Sequence, residues 1–238
     1  MPGDRGSRST LKLNDTGEML AYLRGFVSDR RRARIEAVLA ERTRWLTAVL
    51  EDIYQPHNAS AVLRSCECFG VQDVHIIENR NEYSLNPGVD MGASHWLTLH
   101  RYREEGKDNT TSTLNALKER GYQLYATTPH RDDLLLEEVP VDQPVAVLFG
   151  TEETGLSDGA LAAADAYVRI PMYGFTESFN ISVCAALTLR ELSDKIRQKR
   201  VSWVLSEEER MALTLAWYRH SIRGVELLEE RYWKECAG

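Results

Sequence analysis

The amino-acid sequence predicts an α/β domain in which a mostly parallel sheet is covered by helices on both faces, with helical segments added at both ends. Three observations support this prediction. Short apolar segments alternate with segments of helical periodicity through the middle of the chain. The apolar segments are short enough to be strands buried within such a sheet. Loops rich in glycine and polar residues directly follow three of these strands, which is where parallel sheets bind their ligands.

The N-terminal part of the chain predicts a polar leader, helices and a strand. Residues 1–18 are polar and lack the apolar stretch of a secretory signal. Residues 18–42 contain no proline and one glycine, and their apolar residues recur near helical spacing, so helices are expected there. Residues 45–53 predict a short buried strand that Pro56 ends. Asn58 is expected to be the N-cap of the next helix, which a glycine ends.

The rest of the chain continues the alternation. The predicted strands are residues 74–77, 122–127, 145–149 and 167–170, and the predicted helices are residues 114–120, 156–164 and 180–200. A helical hairpin is expected over residues 206–233, because three glutamates at its start suit a helix N-terminus. We therefore expect a polar leader with a basic helical arm over residues 1–44, a central domain over residues 45–200, and a C-terminal helical extension over residues 201–238.

Composition limits the class of protein. The chain has 238 residues, of which 43% are hydrophobic and 27% charged, as in an ordinary soluble domain. No run of eighteen apolar residues occurs in the sequence, so we expect no membrane span. The four cysteines form neither a CxxC motif nor a dense disulfide pattern, which predicts reduced thiols in a cytoplasmic protein. No sequence motif has the spacing of a metal site, so no bound metal is expected.

Two basic segments contrast with a net charge of −7. The first holds seven arginines and three acidic residues between Arg24 and Arg44, and the second holds five basic and two acidic residues between Arg190 and Arg200. Each segment is either a solvated helix face or an arm that binds phosphates. In the second interpretation the RNA-binding side chains are Arg30, Arg31, Arg32, Arg34, Lys195 and Arg197.

The sequence FGTEETGLS at residues 149–157 lacks the GK[ST] of a phosphate-binding loop. Its glycines, just after a predicted strand, permit close approach of the backbone to a flat ligand, and a plain strand-to-helix turn explains them nearly as well. Glu152 and Glu153 are less expected in such a turn. One of these two carboxylates is therefore a candidate site residue, and the other a solvated one.

Two further segments carry candidate site residues. Arg64 lies on a short, largely apolar helix, where its charge needs a partner: either a carboxylate at the edge of the core, or a phosphate or ribose. Ser178 or Asn180 is expected to cap the following helix, and helix N-terminal amides also bind anions. From the residues alone we predict an α/β enzyme with a site built from the loops at residues 127–133, 150–157 and 171–180.

Three segments together resemble the signature motifs of the SPOUT-class RNA 2'-O-methyltransferases. They are PHNASAVLRSCECFGV at residues 56–71, VAVLFGTEETGLS at residues 145–157 and IPMYGFTESFNISVCAALTL at residues 170–189. The resemblance implies a homodimer, a trefoil knot in the C-terminal part of the central domain, and S-adenosylmethionine as the cofactor. It assigns catalysis to Asn58, Arg64, Glu152, Ser178 and Asn180, and cofactor binding to Thr127, Leu148, Gly150, Ile170, Met172 and Phe179. The family usually carries leucine where this chain has Phe179.

The basic N-terminal segment and the C-terminal helices resemble the branch of this family that methylates the ribose of guanosine 18 in the D-loop of tRNA. Two alternatives remain open: methylation of 23S rRNA, and a non-catalytic RNA-binding protein that kept the knot. In the family Arg64 is the proposed base. Because a guanidinium has a pKa above about 12 and is a poor base, we expect Arg64 instead to stabilise the developing alkoxide or to hold a phosphate.

Overall fold

The computed structural model describes residues 13–129, 134–199 and 202–236. Within these ranges the chain forms two compact units. The central unit extends from Glu41 to Val204, and the terminal unit combines the residues up to Ala40 with those from Leu205 onward. The two segments predicted as separate additions at either end thus belong to one unit.

A seven-stranded parallel sheet forms the middle of the central unit. Its strands are β1 Leu46–Glu51, β2 Asp73–Ile77, β3 Thr98–Tyr102, β4 Gln123–Thr127, β5 Leu134–Leu135, β6 Val145–Phe149 and β7 Ala166–Arg169. Their order across the sheet is β3-β2-β1-β6-β4-β7-β5. The predicted parallel sheet is confirmed, and the order shows that the chain builds outward in both directions from the adjacent pair β1 and β6.

Helices cover both faces of this sheet. They are α3 Pro56–Cys68, α4 Pro87–Asp90, α5 Asn109–Glu119, α6 Asp158–Ala163 and α7 Ile181–Gln198. Alternate residues of each strand point to opposite faces, so Ala48 and Leu50 pack with α3 and α7, whereas Val49 packs with α5 and α6. The predicted two-faced arrangement is therefore confirmed, and it explains why the central strands β1 and β6 are buried along their whole length.

The start of α3 differs from the prediction. Gln55 is the N-cap and Pro56 is the first helical residue, so Asn58 lies inside the first turn. Proline suits this position because its missing N–H would have no partner in the first turn and its φ is already helical. The expectation that Asn58 caps the helix is therefore wrong, and its buried side chain is left available for contacts described below. At α7 the expected cap is found, since Asn180 Oδ1 accepts the Ser182 N–H at 2.9 Å.

Two other boundaries depart from the sequence prediction. The edge strand β3, with the sequence TLHRY, is only partly buried and lacks the apolar run that would have revealed it. Residues 13–18, which we assigned to a polar leader, belong to the first helix of the terminal unit. The first twelve residues of that leader lie outside the described part of the chain.

The terminal unit consists of helices. They are α1 Leu13–Arg24, α2 Asp29–Leu39, α8 Glu207–Ser221 and α9 Val225–Cys236. The segment predicted to form a helical hairpin holds α8 and α9. Ser206 caps α8 through a capping box with Glu209, in which each side chain accepts the other residue's backbone N–H. Apolar side chains such as Met19, Leu23 and Trp217 are buried within this unit and hold the helices together.

A buried histidine lies on β2 in the central unit. His75 Nδ1 is 2.8 Å from the Tyr102 hydroxyl, and the His75 ring stacks on His100 with the ring centroids 4.6 Å apart. The Asp73 carboxylate beside them is 3.4 Å from His100 Nε2. Burial, followed by the electrostatic interaction with His100, lowers the pKa of His75 from 6.5 to about 3.

We expect this histidine to make folding pH-dependent. The unfolded chain binds a proton at His75 near pH 6.5 and the folded chain does so only near pH 3. The free energy of unfolding should therefore fall as the pH drops through this window, by about 1.4 kcal/mol for each pH unit. Urea denaturation of the wild type and of His75→Phe between pH 7.5 and 5 measures the effect, and the variant should show a shallower slope. A His57→Phe variant is the control, because His57 is exposed. Equal slopes for His75→Phe and the wild type would contradict the expectation.

No helix in the described ranges is both long and apolar enough to cross a membrane.

Candidate functional site

The segments that follow β4, β6 and β7 meet around a cavity of about 350 Å³. Thr127, Gly150 and Ile170 mark the points where these three segments contribute to its wall. The sequence prediction that the three loops form one site is confirmed for their described parts. The volume lies at the lower end of the range for small-molecule sites, about 300–1,000 Å³.

The loop after β6 is held in a tight hairpin. Thr151 and Gly155 exchange two backbone hydrogen bonds of 3.0 Å each, so residues 151–155 fold back on themselves. Gly150 lies against the end of this hairpin, where a Cβ would stand 2.2 Å from the Gly155 carbonyl carbon. Only glycine fits at residue 150 without moving backbone. The hairpin orients Glu152 and Glu153, which both line the cavity.

Three of the five predicted catalytic residues come together beside this cavity. Asn180 Nδ2 donates to Asn58 Oδ1 at 3.3 Å and also to Glu152 Oε1. Asn58 Nδ2 in turn donates to Gln55 Oε1 at 2.8 Å. We call Gln55, Asn58, Glu152 and Asn180 the amide–carboxylate cluster. Gln55 was not identified from the sequence, since a glutamine just before a helix is ordinary.

The other two predicted catalytic residues lie differently. Ser178 is exposed and lines the cavity. Arg64 is exposed on α3, and its guanidinium has no hydrogen bond or ion pair with any residue that the structure describes. Arg64 follows Asn58 by six residues on the same helix. Its side chain is therefore rotated from that of Asn58 by about 240° around the helix axis and displaced by about 9 Å along it. The structure therefore does not bring Arg64 into the cluster within one chain. Of the two partners considered from the sequence, the carboxylate at the edge of the core is not found among the described residues, and the phosphate or ribose stays a prediction.

Five of the six predicted cofactor-binding residues line the cavity: Thr127, Gly150, Ile170, Met172 and Phe179. Leu148 is not among the lining residues, because its side chain is buried in the core between β6 and the helices α5 and α6. Its carbonyl accepts the Thr127 hydroxyl at 2.8 Å and so fixes the side chain of a residue that does line the cavity.

The lining fits a cofactor with a flat ring and a positive charge. Phe149, Leu156 and Val168 give the wall apolar surface, while Glu152 and Glu153 bring carboxylates to it. Sequence reasoning missed these apolar residues, since they look like ordinary core residues. Burial raises the pKa of the Cys184 thiol that also lines the cavity, so this thiol stays protonated and is a poor nucleophile at neutral pH.

The predicted RNA-binding cations of α7 already have contacts within the fold. Lys195 Nζ donates to the Glu137 and Val139 carbonyls at 2.7 and 2.6 Å, and burial lowers the pKa of this ammonium. Arg197 donates to the Glu41 and Phe69 carbonyls at 3.1 and 3.2 Å. These bonds give both side chains a structural role, and their binding of RNA stays a prediction.

The arginines of α2 divide into two kinds. Arg32 donates to the Arg24 and Val27 carbonyls at 2.8 and 2.6 Å and pairs with Asp29, so it holds the turn before α2. Arg30, Arg31 and Arg34 are exposed. The exposed three are the better candidates for phosphate contact, which also stays a prediction. Within the described ranges, no three histidine, cysteine or acidic side chains are placed to hold a metal ion.

Comparison with known proteins agrees with this geometry. Residues 46–190 match the model of the SpoU rRNA methylase family. The chain is 41% identical over 216 residues to a tRNA (guanosine(18)-2'-O)-methyltransferase of Borreliella burgdorferi, an alignment that covers 91% of this chain and 97% of the relative. An enzyme of the same name from Thermus thermophilus is 38% identical over 164 residues, which cover 69% of this chain and 82% of the relative.

The fold is also similar to a solved structure. The crystal structure of the A. aeolicus TrmH/SpoU tRNA modifying enzyme superimposes with a TM-score of 0.72 at 27% sequence identity, covering 82% of this chain and 98% of the other. The matched region of the family model contains the amide–carboxylate cluster and most of the cavity. The chain therefore belongs to the SpoU methylase family.

Proposed function

We propose that this protein transfers a methyl group from S-adenosylmethionine to the ribose 2'-hydroxyl of guanosine 18 in tRNA. The amide–carboxylate cluster beside the cavity is the observation on which the proposal chiefly rests, because it gives the cavity a group that can accept a proton or hydrogen bond from a hydroxyl. The names of the two relatives supply the substrate. The residues that line the cavity fit the cofactor, as described above.

S-adenosylmethionine, when bound, supplies an electrophilic methyl group. The chain's own contribution is to hold the hydroxyl in line with that group and to stabilise the charge that develops on its oxygen. Asn180 donates to the Glu152 carboxylate and Asn58 donates to Gln55, so hydrogen bonds already join the cluster before substrate binds. Glu152 accepts a hydrogen bond from the ribose 2'-hydroxyl and receives its proton as the methyl group is transferred to the oxygen. Arg64 stabilises the alkoxide or the neighbouring phosphate and does not act as the base, because its pKa is too high.

The proposal includes a homodimer with a knotted C-terminal segment. α3 and α7 pack against each other on one face of the sheet, so their outward sides form one surface. Val183 and Leu187 of α7 are 45% and 42% exposed on this surface, and Phe179 just before the helix is 40% exposed. We propose that a second copy of the chain covers these apolar side chains, and that Arg64 of one chain contacts the catalytic cluster of the other.

Incubation with labelled S-adenosylmethionine and bulk tRNA, with rRNA in a parallel reaction, tests the proposed function. Label is expected in tRNA, and mapping should place the 2'-O-methyl group on guanosine 18. Label in rRNA alone would establish the rRNA alternative, which the description of the family model suggests. The absence of label from both RNAs would favour a non-catalytic RNA-binding protein.

The four cysteines are free thiols, which supports action in the reducing cytoplasm.

We also propose that the exposed arginines of α2 contact tRNA phosphates. The double variant Arg30→Gln/Arg34→Gln should bind tRNA more weakly, and the slope of log K against log salt should become shallower by about 2, because each lost phosphate contact removes about 0.9. Filter binding at several salt concentrations measures the slope. Arg103→Gln/Lys107→Gln is the control, since these exposed cations pair with acidic neighbours in the central unit. A slope equal to that of the wild type would show that Arg30 and Arg34 do not contact phosphates and lie on a solvated helix face.

A further inference from the structure

A second cavity, of about 250 Å³, lies at the carboxyl ends of β1 and β6. Asp52, Arg80 and Asn81 form one side of it, and Thr151, Thr154 and Ser157 form the other. The hairpin of residues 151–155 therefore borders both cavities, with Glu152 and Glu153 on the side of the first. None of the residues assigned to catalysis or cofactor binding lines this second cavity among those that the structure describes.

The topology of the sheet favours a ligand at this place. From β1 the chain builds outward through β2 and β3, whereas β6, β4 and β7 lie on the other side of β1. The adjacent pair β1 and β6 is thus the point at which the strand order reverses. In open parallel sheets the loops at such a point diverge and leave a crevice, which is the usual ligand site.

Asp52 is the buried side chain that gives this crevice a polar group for binding a ligand. It stands at the end of β1 in a left-handed conformation, with φ of 54°, and is only 9% exposed. Its Oδ1 accepts the backbone N–H groups of Asn79, Arg80 and Asn81 at 2.7, 2.8 and 3.4 Å. Its Oδ2 has no hydrogen bond to any described residue. One oxygen is thus committed to the fold, and the buried carboxylate keeps the other for a ligand.

The neighbouring groups determine what that ligand presents. Glu51 is not available, because it accepts the Ser157 hydroxyl at 2.7 Å, the Ser157 N–H at 2.8 Å and the Thr110 hydroxyl at 2.6 Å. Arg80 is exposed at the cavity and its guanidinium has no bond to a described residue. The Asp158 carboxylate also lines the cavity but is exposed to solvent. Among the charged groups there, Asp52 Oδ2 is the unbonded acceptor on a buried side chain, and the Arg80 guanidinium is a donor.

We propose that this cavity binds the guanine base of the nucleotide whose ribose is methylated, an inference that rests on the function proposed above. Guanine presents N–H donors at N1 and N2 beside an acceptor at O6. The free Oδ2 of Asp52 accepts from both the N1 and N2 donors, and Arg80 donates to O6. Adenine presents the opposite pattern on its Watson–Crick edge. The hairpin of residues 151–155 then lies between the guanine base and the cofactor, and its Glu152 faces the reacting ribose.

Asp52→Asn is the sharpest test, because asparagine tolerates the left-handed conformation better than other residues with a side chain. Its amide oxygen can replace Oδ1 towards the three backbone N–H groups, so that only Oδ2 changes from acceptor to donor. The substrates are tRNA transcripts with guanosine or inosine at the target position, since inosine lacks the 2-amino group. The wild type should methylate the inosine transcript with a lower kcat/KM than the guanosine transcript, by a factor of up to about ten.

The variant should lose about tenfold to a hundredfold in kcat/KM on the guanosine transcript and should no longer prefer guanosine to inosine. Its affinity for S-adenosylmethionine and its Tm should equal those of the wild type. Glu105→Gln is the matched control, because it neutralises an exposed carboxylate outside both cavities and should change neither substrate.

A guanosine preference in Asp52→Asn equal to that of the wild type would overturn the proposal. Arg80→Gln gives a second measurement that does not disturb the Asp52 side chain. It should lower kcat/KM on both transcripts by the same factor, because both bases carry O6, and no change on either would also overturn the proposal. A wild-type enzyme that leaves guanosine ribose unmethylated would instead disprove the proposed function, so the two failures are distinguishable.

Discussion

A Gly150→Ala variant is expected to lose both cofactor binding and methyl transfer. The added Cβ would lie 2.2 Å from the Gly155 carbonyl carbon and 2.3 Å from the Leu156 nitrogen. Both atoms belong to backbone, so no side chain can turn away to make room. The hairpin of residues 151–155 would have to move, although two hydrogen bonds hold it closed. Because this hairpin borders both cavities and carries Glu152, we expect kcat/KM to fall at least a hundredfold.

Calorimetric titration with S-adenosylmethionine and initial-rate assays with tRNA measure these losses. Overpacking of this kind typically costs about 1–3 kcal/mol of folding free energy, so a Tm measurement should show a folded protein with a lowered midpoint. Gly159→Ala is the matched control. A Cβ there would have its nearest neighbour, the Ser157 hydroxyl, at 3.8 Å, and the residue lies within α6. Cofactor affinity in Gly150→Ala equal to that of the wild type would show that the hairpin does not shape the cofactor cavity.

An Arg64→Ala variant is expected to lose methyl transfer while it keeps cofactor affinity. Arg64 is exposed on α3 and does not line the cofactor cavity, so its removal leaves the cavity wall intact. Loss of one group that stabilises a developing oxyanion typically costs about a hundredfold to a thousandfold in kcat. Single-turnover assays and S-adenosylmethionine titration separate the two effects. Turnover at the wild-type rate would remove Arg64 from the catalytic residues.

Mixing of variants tests how Arg64 acts. In a dimer where Arg64 serves the cluster of the other subunit, Arg64→Ala mixed with Glu152→Ala contains sites with both residues intact. Such a mixture should regain activity that neither variant has alone. A mixture without activity would indicate that Arg64 and Glu152 must lie on the same chain. Arg64→Lys is the matched control, because lysine keeps the positive charge but lacks the planar fork of the guanidinium.

The sequence predicted the local elements well where the pattern itself is local. An apolar run such as residues 145–149 has no exposed face in a parallel sheet, and it coincides with β6. The three signature segments likewise indicated the loops that form the cavity. The prediction was wrong where two local signals compete, because Asn58 is a good N-cap residue and Pro56 a better first helical residue.

Only the tertiary structure determined which of these residues meet. Asn58 and Asn180 are 122 positions apart and are joined by a hydrogen bond that depends on α3 and α7 lying on the same face of the sheet. The crevice between β1 and β6 depends on the strand order in the same way. Strand pairing is decided by contacts between segments far apart in the chain, and no local spacing encodes it. The sequence by itself therefore determined the elements and the family, and the packing of distant segments determined the geometry of both cavities.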